Sequence, residues 1–322
     1  MKVAVLDDYQ NVALKMADWS KLRGKADVTV FTDHVDGVDA VAKRLAGFEI
    51  VCAMRERTPF KRELFKKLPN LKLLITTGSR NLSIDVAAAN ESGVMVCHTN
   101  NPASAPQMVQ FTWGLILSFF RHIPAEEQNM RTGKWQTTLG NTIHDKTLGL
   151  VGLGKIGAGV AKIGQAFGMK TLAWSQNMTA EKAAAAGAQL VSKEELFAQA
   201  DIISLHLVLS DRSRGIVGAR ELGLMKKTGV IVNTSRGPLV DEAALLKALQ
   251  ANQIGGAALD VYDQEPLPAD HPLRKLKNVV LTPHVGFVTE ETYRIYFHDT
   301  VEDILAFLDG QPVRILKPGG AE

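Results

Sequence analysis

Short apolar segments recur along the chain, and each is followed by a stretch with helical spacing. Five of them precede residue 100, at 2–7, 27–32, 49–54, 71–78 and 93–99. Six more follow residue 146, at 147–152, 170–175, 200–207, 229–237, 254–262 and 278–286. Runs that are apolar without alternation are typical of strands covered on both faces of a parallel sheet. Their alternation with helices favours doubly wound sheets, and two series predict two such sheets.

Two longer amphipathic stretches separate and close these series. One predicted helix covers 102–123, and its apolar stripe and candidate N-cap are Met108, Phe111, Leu115, Phe119 and Ser104. The other predicted helix covers 289–312. We expect this last helix to return to the first domain. One domain would then comprise residues 1–103 and 289–322, and a second domain, residues 104–288, would be inserted in it.

The composition narrows the choice of partners. Of the 322 residues, 46% are hydrophobic and 22% are charged, as in an ordinary globular protein. A net charge of +3 with scattered lysines and arginines predicts no nucleic-acid partner. No apolar stretch approaches the ~18 residues of a membrane span, and the N-terminus lacks the organisation of a signal peptide. We therefore expect a cytoplasmic protein without a membrane partner, in which Cys52 and Cys97 are buried hydrophobic residues rather than a disulfide or reactive thiols.

A glycine-rich segment, GLGKIG at residues 152–157 (the glycine turn), follows the first strand of the second series. The helix after it has a predicted apolar stripe of Ile156, Val160, Ile163 and Phe167. Gly152 permits a tight turn, Gly154 lets the backbone approach a pyrophosphate, and Gly157 lets helix and strand pack closely. The free N–H groups where the helix starts, at Lys155 and Ile156, suit an anion. The glycine turn therefore predicts a dinucleotide site.

The next strand ends without the acidic residue that usually holds the adenosine ribose of NAD. Its tip is Ser175, Gln176 and Asn177, and we expect Ser175 and Gln176 to contact the ribose. An acid there would bind the 2′-hydroxyl of NAD and repel the 2′-phosphate of NADP. The neutral tip does neither, and no arginine stands beside it to attract the phosphate. The predicted cofactor is NAD or NADP, and the choice stays open.

Three polar residues with complementary chemistry follow apolar runs of the second series. Arg236 lies in VNTSRGPLVDEAALLKAL, Glu265 in DVYDQEPLP and His284 in LTPHVG. In doubly wound sheets, ligands bind at the carboxyl ends of strands, and a guanidinium there can hold a carboxylate with two hydrogen bonds. A histidine oriented by a carboxylate can move a proton near neutral pH, because the carboxylate raises the pKa of the imidazole. A surface ion pair for Arg236 and a structural role for His284 are the alternatives.

These residues stand in segments that resemble the D-isomer-specific 2-hydroxyacid dehydrogenases over nearly the whole chain. The segments are GLVGLGKIG, DIISLHLVLSDRSRGIVG, LMKKTGVIVNTSRGPLVDEAALLKAL, GAALDVYDQEPLP and NVVLTPHVG. The resemblance implies an α/β fold in which a Rossmann dinucleotide-binding domain is inserted in a flavodoxin-like substrate domain. It further implies hydride transfer between NAD(P)H and a small 2-keto or D-2-hydroxy acid. A homodimer packed through the cofactor domain, near EEQNMRTGKWQ, is also implied.

The resemblance assigns roles to the candidate residues. Arg236 would bind the substrate carboxylate and polarise the keto oxygen. His284 would pass the proton, and Glu265 would orient His284 and raise its pKa. Asp260 would hold the carboxamide of the nicotinamide. The other implied cofactor contacts are Val208, Ser213, Thr234 and Gly286. No metal is expected.

The substrate domain departs from the family pattern. The family has a loop like Gly-Val-Gly-Tyr-Asp-Asn whose N–H groups hold the substrate carboxylate, and this chain has GSRNLS at 78–83. We expect Gly78 and Ser79 to present N–H groups there, and Arg55 ends another strand of the same domain. Arg80 either adds positive charge for a second anionic group of the substrate, or turns to solvent or pairs with an acid.

Two other functions stay open. A dinucleotide-sensing binding protein would resemble the corepressors related to this family, which an added interaction segment would distinguish. We expect no such segment, because the chain ends soon after the closing helix. A dehydrogenase of formate or phosphite would use the same fold, but Arg236, Glu265 and His284 together favour a 2-hydroxy or 2-keto acid. Which acid that is, the sequence does not predict.

Overall fold

The computed structural model describes residues 1–101 and 104–318, apart from the side chain of Ser104, so the predicted N-cap lies outside the described residues. The chain divides into two compact units. Unit 1 comprises Met1–Pro102 and Val288–Glu322, and unit 2 comprises Ala103–Phe287. Each unit is built on one parallel sheet with intervening helices, which confirms the predicted α/β class with two doubly wound sheets.

The sheet of unit 1 contains the strands β1 (Lys2–Val5), β2 (Asp27–Val30), β3 (Ile50–Ala53), β4 (Leu73–Thr76) and β5 (Met95–His98). Their spatial order is β2-β1-β3-β4-β5. The helices between them are α1 (Ala13–Met16), α2 (Val38–Leu45), α3 (Arg62–Lys66) and α4 (Val86–Glu91). Every residue of β3 and β4 is buried, as expected of apolar strands packed on both faces.

The sheet of unit 2 contains the strands β6 (Thr147–Val151), β7 (Lys170–Trp174), β8 (Gln189–Leu190), β9 (Ile202–Leu205), β10 (Val230–Asn233), β11 (Gly256–Leu259) and β12 (Val279–Leu281). Their spatial order is β12-β11-β10-β9-β6-β7-β8. The helices are α5 (Ser104–Phe120), α6 (Ile123–Arg131), α7 (Lys155–Ala166), α8 (Ala180–Ala185), α9 (Lys193–Gln199), α10 (Ala219–Leu224) and α11 (Glu242–Gln250). The sequence did not predict β8, since two residues at a sheet edge form no apolar run.

The last helix, α12 (Glu290–Leu308), belongs to unit 1. The side chain of Thr289 caps its start by accepting the N–H of Thr292 at 3.2 Å. Phe297 of this helix packs against Trp19, with ring centroids 6.3 Å apart. Buried aromatic contacts of this kind anchor α12 to the short helices that follow β1.

Two details of the helix predictions are wrong. The helix predicted over 102–123 ends at Phe120, because His122 has a left-handed backbone (φ 51°) and a separate helix, α6, begins after it. On α7, Phe167 was expected on the buried stripe but is exposed. The buried residues of α7 are Gly157, Val160, Ala161 and Gly164.

Small residues face inward on α7 because neighbouring elements approach it closely. A Cβ on Gly164 would lie 2.9 Å from the side chain of Leu148 in β6 and 3.4 Å from Trp113 in α5. At these distances no larger side chain fits at position 164. Three residues of the predicted stripe do contact the core, because Val160 is buried and the partly buried Ile156 and Ile163 pack against it.

Both cysteines are buried free thiols, as predicted. Burial raises the pKa of Cys97 to about 12 and raises that of Cys52 as well, so neither is a reactive thiolate near neutral pH. Every helix of the described residues is too short or too polar to cross a bilayer.

A partly buried histidine of unit 1 lies between two carboxylates. Nδ1 of His34 is 2.8 Å from Oδ1 of the buried Asp7, and its Nε2 is 3.1 Å from Oδ1 of Asp36. Asp7 follows β1 and also accepts the hydroxyl of Thr58 at 2.7 Å. The hydrogen bond to Asp7 raises the pKa of His34, and Asp36 adds to the effect, although burial opposes it.

This cluster predicts a pH-dependent contribution to stability. A histidine whose pKa is raised by folding stabilises the fold fully below its unfolded pKa of about 6.5, and the contribution disappears as the pH rises through the folded value. The difference in Tm between wild type and His34→Asn should therefore be several degrees larger at pH 6 than at pH 9. Thermal unfolding at both pH values measures it, with the exposed His298→Asn as control. A pH-independent difference would contradict the assignment.

Candidate functional site

The glycine turn of unit 2 connects β6 to α7 with the geometry of a phosphate-binding turn. Gly152 has φ 97°, which L side chains rarely adopt, and a Cβ on Gly157 would lie 2.3 Å from the carbonyl oxygen of Gly152. Gly154 is exposed, with open space where its side chain would be. Because β6 lies between β7 and β9, the turn stands where the strand order reverses. These features fit a pyrophosphate held by the N–H groups that open α7.

The neutral tip of β7 lies beside the glycine turn, since the N–H of Gly152 donates to the carbonyl oxygen of Trp174 at 2.8 Å. Ser175 is half-buried, whereas Gln176 and Asn177 are exposed. A nearby cation, Lys193, has its ammonium 5.7 Å from the centre of the Trp174 ring but is paired with Glu221 at 2.9 Å. The tip therefore offers hydroxyl and amide groups rather than a charge.

Sequence reasoning missed one histidine next to the glycine turn. His206 directly follows β9, and a Cβ on Gly157 would lie 3.5 Å from its ring. Burial lowers its pKa to about 4, so the ring is neutral. Within the described part of the chain, its buried Nε2 has no hydrogen-bond partner. Its place at the carboxyl end of the strand next to β6 was the signal that could have identified it.

Three expected cofactor contacts differ in exposure. Val208 is exposed, whereas Ser213 and Thr234 are buried and already hydrogen-bonded. The Ser213 hydroxyl donates to the carbonyl oxygen of Val208 at 2.7 Å, and the Thr234 hydroxyl is 3.0 Å from that of Thr112 in α5. The Ser213 hydroxyl thus holds the loop after β9, and the Thr234 hydroxyl connects the end of β10 to α5. Contact of either hydroxyl with a cofactor stays a prediction.

Arg236 lies in the short loop between β10 and the following 3-10 turn (Gly237–Leu239). Asn233, the last residue of β10, fixes this loop with two side-chain hydrogen bonds. The side chain of Asn233 donates to the carbonyl oxygen of Arg236 at 2.9 Å and accepts the N–H of Ser235 at 3.1 Å. The loop rests on the chain after β11, because a Cβ on Gly237 would lie 2.1 Å from the carbonyl of Tyr262. This close approach brings the Arg236 loop against the segment that carries Glu265.

Glu265 connects that segment to His284. One carboxylate oxygen accepts the N–H of Tyr262 at 2.9 Å, and the other is 2.5 Å from Nδ1 of His284. Since an ionised carboxylate only accepts hydrogen bonds, Nδ1 carries the proton and Nε2 is left for exchange. Strands β10, β11 and β12 are neighbours, so Arg236, Glu265 and His284 share one edge of the sheet, as the sequence predicted.

A second histidine at this edge has a different arrangement. Nδ1 of His271 accepts the N–H of Leu273 at 3.3 Å, and its Nε2 is 3.2 Å from Glu242. Both ring nitrogens are therefore engaged, and the proton is fixed on Nε2. Of these two histidines with carboxylate partners, only His284 has a ring nitrogen that is not held by another group of the described chain.

Asp260 follows β11 and is completely buried beneath the segment that carries His284. Its Oδ1 accepts the hydroxyl of Thr282 at 2.6 Å and the N–H of Val285 at 2.9 Å. Its Oδ2 accepts the N–H of Gly286 at 2.9 Å. These contacts bind Asp260 to the protein, and its expected hydrogen bond to a carboxamide stays a prediction.

In unit 1, the expectation that Gly78 presents its N–H to a substrate is wrong, and the role expected of Arg55 stays a prediction. The N–H of Gly78 already donates to the hydroxyl of Thr99 at 2.7 Å, so it is not available to a substrate. Gly78 has φ 81°, and a Cβ there would lie 1.8 Å from Nη1 of Arg55. The half-buried Arg55 side chain therefore covers Gly78, and it also hydrogen-bonds with Tyr296 of α12.

Asn101 is a further polar residue of this cluster that the sequence analysis overlooked. Its side-chain amide donates to the hydroxyl of Ser79 at 2.7 Å, and its oxygen is 3.4 Å from the hydroxyl of Tyr296. Asn101 follows β5, so the carboxyl-end rule that identified Arg55 could have identified it as well. Arg55, Ser79 and Asn101 together form a polar cluster, in which Nε of Arg55 is also 3.6 Å from a carboxylate oxygen of Glu56.

Arg80 is exposed and, within residues 1–101 and 104–318, makes no hydrogen bond or ion pair. It borders a cavity of about 400 Å³ whose lining includes Ser79, Arg80, Leu82, Val86, Leu316 and Lys317. The acid of this cavity, Asp85, accepts the N–H of Ala88 and caps α4. Pairing of Arg80 with an acid is therefore not observed, and a net positive charge borders the cavity.

The sequence of this chain is similar to those of known dehydrogenases and reductases. Residues 113–286 match the family model of the "D-isomer specific 2-hydroxyacid dehydrogenase, NAD binding domain". Glyoxylate reductase from Aeropyrum pernix is 39% identical over 77% of each chain, and hydroxypyruvate reductase from Blautia hydrogenotrophica is 31% identical over 98% of this chain and 99% of the relative. D-3-phosphoglycerate dehydrogenase from Synechocystis is 35% identical over 97% of this chain, which spans 55% of that relative.

Solved structures agree with these matches. A phosphoglycerate oxidoreductase from Vibrio cholerae superposes with a TM-score of 0.90 at 41% identity, covering 96% of this chain and 99% of the other. An acyclic imino acid reductase in complex with NADPH and D-Arg superposes with a TM-score of 0.72 at 30% identity, covering 98% of this chain and all of the other. The resemblance carried by the motifs is thereby confirmed.

Proposed function

The chain belongs to the D-isomer specific 2-hydroxyacid dehydrogenase family, and on that premise we propose that it reduces short 2-keto acids of the glyoxylate and hydroxypyruvate type. Family membership makes it an NAD(P)-dependent oxidoreductase. The observation that carries the proposal is the Glu265–His284 pair, which keeps Nε2 of the imidazole ready to donate a proton. Glyoxylate and hydroxypyruvate are chosen because they are the substrates in the names of two relatives.

In the proposed reaction, NAD(P)H supplies the hydride and the protein supplies position, charge and a proton. His284 donates its Nε2 proton to the keto oxygen, and Glu265 stabilises the imidazolium and fixes the ring. Arg236 holds the substrate carboxylate and polarises the keto group. Residues 1–103 and 289–322 are the proposed substrate-binding domain, and residues 104–288 the proposed dinucleotide-binding domain.

For the cofactor we propose weak discrimination between NADH and NADPH. The tip Ser175-Gln176-Asn177 has no carboxylate to repel the 2′-phosphate, and the nearby Lys193 is engaged with Glu221. Without a charge of either sign, the two cofactors should differ in kcat/KM by less than about tenfold, or roughly 1.4 kcal/mol. The glycine turn contributes equally to both, since it contacts the pyrophosphate that they share.

The experiment is a matrix of NADH and NADPH oxidation with glyoxylate, hydroxypyruvate, 2-ketoglutarate and 3-phosphohydroxypyruvate. Saturable turnover of glyoxylate or hydroxypyruvate with both cofactors supports the proposal. A preference above 100-fold for one cofactor would contradict the weak discrimination. Tight binding of both cofactors without turnover of any acceptor would instead favour a dinucleotide-sensing protein.

Unit 1 is proposed to hold the substrate carboxylate through Ser79 and Arg55. Arg80, which has no ion pair within the described ranges, and the cationic border of its cavity further favour acceptors with a second anionic group. Arg80→Ala should then raise KM for 3-phosphohydroxypyruvate roughly threefold to tenfold and leave KM for glyoxylate within twofold, because a partly exposed charge-assisted hydrogen bond is lost.

The control for this change is Arg62→Ala, which removes an exposed arginine of the same unit that pairs with Glu91. Arg62→Ala should leave KM unchanged for both 3-phosphohydroxypyruvate and glyoxylate. An equal effect of Arg80→Ala on both acceptors, or no effect on either, would remove Arg80 from the substrate site.

We also propose a cytoplasmic homodimer that binds neither nucleic acid nor membranes, formed through α6 and the segment after it. Helix α6 has no buried residue, and Trp135 and Leu139 are 72% and 92% exposed. Apolar side chains this exposed are typical of an interface, and a second copy of the chain is the proposed occupant.

Light scattering after size exclusion tests the dimer. Leu139→Asp should shift the protein from the mass of a dimer to that of a monomer, because a buried charge opposes association. Leu14→Asp, at an exposed site of α1, is the control. A wild-type protein that is monomeric at all concentrations would contradict the proposal.

A further inference from the structure

The carboxylate of Asp260 binds the His284 loop (residues 282–286) on both sides of His284. The hydroxyl of Thr282 donates to it from before the histidine, and the N–H groups of Val285 and Gly286 donate from after it. These three donors lie within 2.9 Å, and the side chain of Asp260 is 0% exposed. One buried anion thus determines the path of the short segment that presents the imidazole.

The backbone of His284 needs such support. Its φ of 52° lies in the left-handed region, which is unfavourable for a residue with a side chain and persists only where the surroundings enforce it. Its own N–H reaches back to the carbonyl oxygen of Thr282 at 3.1 Å, which closes a tight turn. Without an anion beneath it, this turn would leave two adjacent N–H groups buried without acceptors.

The approach of the loop to Asp260 is close. A Cβ on Gly286 would lie 3.1 Å from Oδ2 of Asp260 and 2.8 Å from the end of Met108 in α5. Glycine at this position therefore allows the loop to settle on the carboxylate. The loop is held from below by Asp260 and at the ring by Glu265.

We propose that Asp260 is a positioning residue for His284, which holds the loop so that Nδ1 meets Glu265 and Nε2 stays available. The proposal rests on the proposed function only in taking His284 as the proton donor. A carboxylate has about four lone-pair positions, and three donors already occupy Asp260. The three contacts that it makes in the structure therefore all act on the loop, and about one acceptor position is left for the carboxamide contact predicted above.

Asp260→Asn is the decisive change, because an amide has one acceptor atom and one donor group. If the amide oxygen serves Thr282 and Val285, the NH₂ group faces the N–H of Gly286, and two donors oppose each other. The loop should then move, and kcat should fall about 10- to 100-fold. The Kd for NADH should stay within about threefold. Asp263→Asn, the same change at an exposed site of the same segment, is the matched control.

The first readout is the NMR spectrum of the ¹⁵N-histidine-labelled apoprotein. The Nδ1 proton of His284 lies in a short hydrogen bond to Glu265 and should resonate far downfield, assigned by its loss in His284→Gln. Asp260→Asn should shift or broaden this resonance, and Asp263→Asn should leave it in place. An unchanged resonance in a folded Asp260→Asn protein would overturn the proposal.

The second readout is a double-mutant cycle of Asp260→Asn and His284→Gln, measured as kcat with glyoxylate and as Kd for NADH. If Asp260 acts through His284, its effect on kcat should fall to within twofold in the His284→Gln background. An additive loss of kcat, or a tenfold rise in Kd, would overturn the proposal in favour of a direct cofactor contact.

The test of Asp260 still gives a result if the Asp260→Asn protein does not fold or if the wild type shows no turnover. If Asp260→Asn does not fold, Thr282→Val removes one of the three donors and should move the same resonance by a smaller amount. If the wild type turns over no 2-keto acid, the proposed function fails, whereas the NMR readout still decides whether Asp260 positions His284.

Discussion

Replacing His284 with glutamine is expected to lower kcat for 2-keto acid reduction by roughly 10²- to 10⁴-fold, the usual range for loss of a general acid. Glutamine can hydrogen-bond to Glu265 but carries no titratable proton for the keto oxygen. The Kd for NADH should stay within about threefold, because the pyrophosphate is held at the glycine turn. Steady-state kinetics and fluorescence titration of NADH measure the two quantities.

His271→Gln is the matched control for this change. His271 lies at the same edge of unit 2 and contacts Glu242, but both of its ring nitrogens are engaged. Its replacement should leave kcat within about twofold, whatever its effect on Tm. If the two variants lost activity equally, the effect would come from stability, and His284 would not be the proton donor.

Replacing Arg236 with lysine is expected to reduce kcat/KM roughly 10- to 100-fold, or about 1.4–2.8 kcal/mol, through both a higher KM and a lower kcat. A guanidinium can bind a carboxylate with two parallel hydrogen bonds, whereas an ammonium is a point charge that cannot reproduce the fork. The loop around position 236 should persist, since Asn233 binds its backbone rather than its side chain.

The appropriate control is Arg220→Lys, which keeps the charge in an exposed ion pair with Glu194 of the same unit. This change should leave kcat and KM unaltered. Kinetics of Arg236→Lys that match the wild type would place Arg236 outside the site. A loss confined to KM would mean that it binds the carboxylate without polarising the keto group.

The strands other than β8 were predictable, because most of them are buried on both faces and are therefore continuous apolar runs in the sequence. Helix details were less so. The end of α5 depends on the left-handed backbone of His122, which no composition signal marks. The buried residues of α7 include two glycines and an alanine beside Val160. Close packing selects small residues at these positions, and a search for large apolar side chains does not find them.

Some residues of the candidate site could be predicted from the sequence, whereas some of its contacts could not. Arg236, Glu265 and His284 could be predicted, because each follows an apolar run and carries chemistry unsuited to a core. The loss of the Gly78 N–H to Thr99 could not, since those residues are 21 positions apart and meet only through the pairing of β4 with β5. The same holds for Asp260, whose donors lie 22 to 26 positions further along the chain.

The most direct test of the account is the reduction of hydroxypyruvate by the wild-type protein, followed as NADH or NADPH oxidation with chiral analysis of the product. The account predicts stoichiometric oxidation of the cofactor and formation of D-glycerate, with little turnover in His284→Gln. Formation of L-glycerate, or turnover that survives His284→Gln undiminished, would contradict it.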